Sequence, residues 1–323
     1  MEIQLVEYTT IKVKGKRIRA AAPVIISASR ATDIPAFGGE WLSERLKDGY
    51  VQKTNPFSGK PYYISFKNAA VFVFWTKDPE PFRSFLEKFN YPFYFHFTLN
   101  NYDGLDIEPG VPSVESRICT FKELANHFGK ERILWRFDPL MRFPGMTVDD
   151  LLERIEKTAK QLVGYTERLT FSFLTLKGYT AAQKRLNTVL KPYGLSSNDL
   201  LHNSEEKKRV LHFLAELQQT WKKTDSAFAV KSCAMPENYS PYEISPARCI
   251  DDTLLARVFG DNASIQKLLG QTTNLFSSEI SLPDDPTQRK HCHCIESKDI
   301  GLYNTCNHGC LYCYANKKSN QIG

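Results

Sequence analysis

A parallel (β/α) barrel or partial barrel of six or more strands, followed by a cysteine-rich C-terminal cap, is the fold class this sequence predicts. Three observations carry that expectation. Six short runs rich in β-branched and aromatic residues recur over the first two thirds of the chain, helical patterns lie between them, and five of the eight cysteines fall within residues 292–313.

The length, 323 residues, suits about two domains or one large barrel. With 42% hydrophobic and 24% charged residues the chain closes a sizeable core, which excludes disorder and collagen-like repeats. The longest apolar run, residues 69–75, is far shorter than the roughly 18 residues of a membrane helix. Glu2 and Glu7 stand where a signal peptide would place its apolar core. A soluble cytoplasmic protein without membrane contact is expected. The formal charge of +6 and pI near 8.7 favour anionic partners only weakly, well short of the basic face of a dedicated nucleic-acid binder.

The strands expected are 24–28, 70–75, 93–98, 133–137, 169–174 and 227–231, each near-continuously apolar, as in parallel strands covered on both faces. Helices are expected at 40–47, 80–89, 121–128, 148–163, 181–190 and 205–222. In the fourth, Leu152, Ile155, Ala159 and Leu162 share a face, and Thr147 with Asp150 makes an N-terminal capping pair. In the last, Val210, Leu214, Leu217 and Trp221 form one stripe. Repeated βα units with right-handed crossovers curl into a barrel or a wound sheet.

Polar residues capable of chemistry follow the apolar runs directly, and in a parallel barrel those ends share one rim. Arg30, Asp33, Lys77, Arg136 and Asp138 are the candidate catalytic residues, because a charge beside an apolar strand needs a partner or a ligand. Residues 1–237 therefore form the barrel-like domain. Residues 238–323 are loop-rich, with helical patterns at 253–259 and 263–269, and are expected to pack across the barrel mouth as a cap.

A large chain without a signal peptide uses clustered cysteines for metal or redox chemistry rather than for disulfides. Cys306, Cys310 and Cys313 are spaced C-x3-C-x2-C, so one tight loop offers three thiolates to an iron–sulfur cubane and leaves one iron open. Zinc is the alternative, with His308 as a fourth ligand. The loop resembles the signature of the radical S-adenosylmethionine superfamily, in which an aromatic residue precedes the last cysteine, as Tyr312 does here. That resemblance implies a 4Fe-4S cluster whose open iron chelates S-adenosylmethionine, and an electron donor such as flavodoxin or ferredoxin. The position departs from the pattern, because superfamily members carry the loop after the first barrel strand. A wider resemblance joins I-S-A-S-R-A-T-D-I-P-A-F (26–37), V-F-W-T-K-D-P (73–79), W-R-F-D-P (135–139) and the stretch 297–315 to the bacterial domain of unknown function 1848 family.

Cys233, Cys249, Cys292 and Cys294 offer four further thiolates, enough for a second iron–sulfur cluster or a structural zinc, with His291 and His293 as substitutes. Cys119 is left over and is expected to pack as a small buried hydrophobe. His96 is expected in the core or at the rim. No phosphate loop, nucleophile elbow or H-E-x-x-H motif is present, which demotes nucleotide hydrolases, serine hydrolases and zinc proteases.

Two functions fit. One is a radical S-adenosylmethionine-like enzyme acting at the barrel rim on an unknown small molecule, peptide or nucleic acid. The other is a binding protein stapled by zinc or an inert cluster, touching nucleic acid through Arg289, Lys290, Lys317 and Lys318.

Overall fold

The computed structural model of the chain describes residues 5–55, 58–270 and 282–316. It opens with a hairpin of β1 (Val6–Val13) and β2 (Lys16–Pro23), turned at Lys14 and Gly15, where both residues take positive φ. The chain then enters β3 (Ile25–Ser27), α1 (Ile34–Phe37), α2 (Gly39–Asp48), β4 (Tyr50–Thr54) and β5 (Pro61–Ser65). Strands β1, β2, β5 and β4 make a small mixed sheet, in that order, that the sequence pattern did not predict. Its strands alternate apolar side chains with exposed Lys, Arg and Tyr, so no continuous apolar run marks them.

The main sheet is built from β3, β6 (Val71–Thr76), β7 (Phe93–Thr98), β8 (Ile133–Leu140), β9 (Arg168–Phe173) and β10 (Ala229–Ser232). Two-residue strands β11 (Ser245–Pro246) and β12 (Lys298–Asp299) border it. Its order is β11-β10-β9-β8-β7-β6-β3-β12 and every pairing is parallel. All six expected runs form these strands. Spatial order follows chain order except at β12, and the ladder ends at two edges, so hydrogen bonding describes an open parallel sheet.

Connecting helices are α3 (Arg83–Leu86), α4 (Val114–Phe128), α5 (Val148–Leu162), α6 (Thr180–Leu190) and α7 (Ser204–Lys222). The helix expected over 80–89 is only a 3-10 turn and the single turn α3; Asn90 and Pro92 follow at once and lead the chain into β7. α4 starts seven residues before the expected 121, where Ser113 Oγ accepts from Ser116 N. Thr147 and Asp150 cap α5 reciprocally, as expected, although its buried face carries Leu151 rather than Leu152.

Alternation in the strands sorts side chains between two faces. Phe72, Phe74, Phe95, Phe97, Trp135, Phe137, Phe171 and Phe228 pack in one large core with the connecting helices. Val71, Val73, Tyr94 and Leu134, from the alternate positions, join a second core with Leu254, Leu255, Ile265, Leu268 and Ile295. These last come from α8 (Asp252–Phe259), α9 (Ala263–Gly270) and the segment after residue 282. The C-terminal part therefore does not stand apart from the sheet. It shares an apolar core with the sheet, adds β12 beside β3, and only then reaches the strand exits.

Candidate metal centre

Residues 300–316 lie against the exits of β3, β6 and β7. Asp33, just past β3, caps α1 through Oδ1 and Ala36 N (3.0 Å), while Oδ2 accepts from Lys77 N at 2.7 Å. The same Oδ2 lies 2.8 Å from His308 Nε2, and His308 Nδ1 faces Gly110 O at 3.0 Å. Both ring nitrogens of His308 are thereby engaged, so its place as a fourth zinc ligand is taken by Asp33 and Gly110. Lys77 Nζ pairs with Glu108 Oε1 at 2.8 Å, and the same oxygen accepts from Asn100 Nδ2 (2.9 Å) and from the Tyr312 hydroxyl. Burial opposes charge on Glu108, but Lys77 and Arg117 hold its carboxyl below the usual range. Burial and then the Glu108 charge push the Tyr312 phenol well up.

The cysteine loop is closed by Asn304 N to Ala315 O (3.2 Å) and by Asn316 Nδ2 to Cys306 O (2.7 Å). Arg185 of α6 spreads its guanidinium over three carbonyls, donating to Leu311 O (3.1 Å), Asn316 O (2.6 Å) and Cys313 O. Gly110 N donates to His308 O at 2.9 Å, and a Cβ at Gly110 would stand 2.7 Å from Asn307 O, so only glycine permits this approach. Cys310 is buried while Cys306 and Cys313 are partly open. Burial, with Asp33 nearby, pushes the Cys306 thiol up to about 11, and burial lifts the Cys310 thiol well above its ordinary value. Cys306 feels Cys313, and Cys310 feels both Cys313 and Cys306. Three soft thiolates on one short loop fit an iron–sulfur cluster better than a hard cation.

The five candidate catalytic residues divide between two places. Asp33 and Lys77 join the rim loop. Arg136 instead donates Nη1 to Cys249 Sγ at 3.0 Å and Nη2 to Asp138, which also accepts from Ser172. Burial disfavours charge on Asp138, yet Arg136 and Ser172 hold its carboxyl low. Arg30 stands 5.0 Å over the Trp75 ring, with its backbone N bonded to Asp299. Asn100 ties the two places together: its Oδ1 accepts from Asp138 N (2.8 Å) and its Nδ2 donates to Tyr312 Oη (3.1 Å).

Of the second cysteine set, Cys233 Sγ lies 3.7 Å from Cys249 Sγ, Cys294 Sγ accepts from Ile250 N at 3.4 Å, and Cys249 and Cys292 lie in the electrostatic surroundings of Cys294. The Cys292 thiol is drawn down to about 7, chiefly by its bond with Cys294. His293 turns to Asp284 at 2.8 Å and His291 is exposed, so neither joins the thiols. Cys119 is exposed, contrary to expectation, because α4 buries the Arg117–Phe121–Leu124 face instead. His96 is fully buried, as expected, with Nε2 2.7 Å from Cys249 O. Among the described residues, no three His, Cys, Asp or Glu side chains meet in the arrangement of a single-ion site. Lys290 is exposed, Arg289 reaches Cys233 Sγ at 3.5 Å, and Lys317 and Lys318 lie outside the described residues.

Glu108, Arg185 and Asp299 escape sequence reasoning. Asp299 accepts from Ser27 Oγ (2.6 Å), Ser29 Oγ (2.9 Å) and Arg30 N (2.7 Å). Each of the three meets most of its partners through contacts distant in sequence. The acid in S-K-D-I-G, close before the cysteine loop, is the one local hint.

Among the described residues no helix is long and apolar enough to cross a membrane. Neither the curated proteins nor the solved structures contain a match to the chain. The model of a domain of unknown function, DUF1848, matches residues 25–315 and so spans the main sheet, the four-thiol group and the rim loop. This chain belongs to the DUF1848 family.

Proposed function

We propose that the protein is a radical S-adenosylmethionine-type iron–sulfur enzyme, with Cys306, Cys310 and Cys313 as the ligands of a 4Fe-4S cluster at the exits of a partial barrel. The observation that carries this reading is the seating of the C-x3-C-x2-C loop on the strand exits by His308 with Asp33 and by Tyr312 with Glu108. Held by Cys306, Cys310 and Cys313, such a cluster would supply one-electron reductive cleavage of S-adenosylmethionine, its electron coming from a reduced flavodoxin or ferredoxin.

The chain's own residues supply position and field. Arg185 and Asn316 fix the loop carbonyls, so the three thiols keep their mutual placement. Lys77 and Glu108 place a buried cation and anion beside Tyr312, suited to holding the amino and carboxylate groups of an amino-acid moiety. Asp33 and Asn100 hold the ends of β3 and β7 against that loop.

Electron paramagnetic resonance of the anaerobically reconstituted, reduced protein tests this reading. S-adenosylmethionine should change the cluster signal, and Cys310→Ala should abolish that change. An unchanged signal at saturating S-adenosylmethionine would refute it.

A further inference from the structure

We infer that Cys233, Cys249, Cys292 and Cys294 hold a second iron–sulfur cluster, in a closed four-thiolate site between the sheet and the segment packed on it. The inference stands on this geometry and does not depend on the rim loop. The four thiols come from three places: the exit of β10, the turn before α8, and the stretch before β12. Cys233 Sγ lies 3.7 Å from Cys249 Sγ, and Cys294 and Cys292 share the electrostatic surroundings of Cys249. All four are free, and their sequence separation means that only folding of the C-terminal segment onto the sheet unites them.

The surroundings are built for sulfur that carries charge. Arg136 Nη1 donates to Cys249 at 3.0 Å, Ile250 N to Cys294 at 3.4 Å and Arg289 Nη2 to Cys233 at 3.5 Å. Arg30 stands in the field of Cys294, Cys249 and Cys292, and its buried Nη2 has no hydrogen-bond partner. A neutral thiol neither needs nor rewards such a ring of cationic donors, whereas thiolate sulfur on a cluster accepts them. On binding, each thiol gives its proton to solvent and forms one Fe–S bond. A cubane core of charge 2+ with four thiolates is a dianion, which Arg30, Arg136 and Arg289 can balance.

Iron is favoured over structural zinc by the apolar core already present around the thiols. Structural zinc typically replaces a missing core, yet here Leu254, Leu255, Ile265 and Leu268 already pack against Val71, Val73 and Leu134.

The test is anaerobic reconstitution of the full chain with iron and sulfide, read by metal and sulfide content and by Mössbauer spectra. The Cys306→Ala/Cys310→Ala/Cys313→Ala variant should retain about four irons and four sulfides per chain, and wild type about twice that. Adding Cys249→Ala and Cys294→Ala to the triple variant should remove the remainder. Four irons in wild type but none in the triple variant would overturn this site and leave the rim reading standing. Four irons in both would uphold this site and remove the rim cluster. Should the triple variant misfold, Cys249→Ala/Cys294→Ala in the otherwise wild-type chain decides by metal content: about four irons fewer than wild type uphold this site, and an equal iron content overturns it. Stoichiometric zinc that resists replacement by iron would also overturn the proposal.

Discussion

His308 Nε2 sits 2.8 Å from Asp33 Oδ2, which fastens the middle of the cysteine loop to the exit of the first main-sheet strand. Asp33 serves three partners at once, because it also caps α1 and receives Lys77 N. Asp33→Asn retains the capping oxygen but puts an NH2 where Oδ2 accepts from Lys77 N and faces His308; Asp33→Ala loses the cap as well. Asp33→Ala should cost about 1–3 kcal/mol in urea unfolding, and Asp33→Asn clearly less. Equal losses in the two variants would show that the carboxylate's charge, not the cap, dominates.

Arg185 reaches three backbone carbonyls of the loop with one planar group. Lysine has a single ammonium and cannot span them. Arg185→Lys should therefore raise amide hydrogen exchange across residues 306–316 about as much as Arg185→Ala does, while α6 stays protected. Protection of that loop by lysine equal to wild type would contradict the assignment.

Gly301 carries a close packing constraint. A Cβ there would lie 1.8 Å from Ser29 Oγ and 2.4 Å from Ser29 Cβ, and that hydroxyl is already bonded to Asp299. Gly301→Ala should destabilise by about 1–3 kcal/mol. Ser29→Gly in the same chain removes both clashing atoms and should recover part of the loss, a coupling that a double-mutant cycle measures. Additive effects would show that the backbone moves away instead.

How much of this was legible in the sequence depends on the range of the interactions involved. The six main strands and the helices α5 and α7 carry their periodicity locally, and so does the C-x3-C-x2-C spacing. The β1–β2 hairpin does not, because V-K-G-K-R-I-R alternates cations with short apolar residues and leaves one face to solvent. Cys233, Cys249, Cys292 and Cys294 could be grouped from the sequence only as the spare thiols, because the contact of Cys233 with Cys249 is made by the fold and carries no spacing signal. Glu108 is an ordinary loop acid until Lys77, Asn100 and Tyr312 surround it. Arg136 and Asp138 were recognisable as buried charges, but not that Arg136 turns one arm to Cys249 and the other to Asp138.

His202 supplies a pH dependence away from both cysteine groups. It is buried against Phe173, both ring nitrogens lack partners, and burial lowers its pKa to about 4. The unfolded chain, with a histidine pKa of about 6.5, takes up the proton first as pH falls. This contribution is thus fully present above about pH 6.5 and is lost as pH falls toward 4, amounting to about 3 kcal/mol. His202→Phe should flatten that part of the stability profile in urea titrations. An unchanged slope would mean that the imidazole is hydrated in solution.

Formation of 5′-deoxyadenosine is the most direct test of the proposed chemistry. Reconstituted protein, reduced anaerobically with dithionite or titanium(III) citrate, is incubated with S-adenosylmethionine, and the nucleoside product is quantified by mass spectrometry. The account predicts 5′-deoxyadenosine together with methionine, formed slowly even without substrate, and none from Cys310→Ala. Protein with its full complement of iron and sulfide that yields no 5′-deoxyadenosine under strong reduction would contradict it.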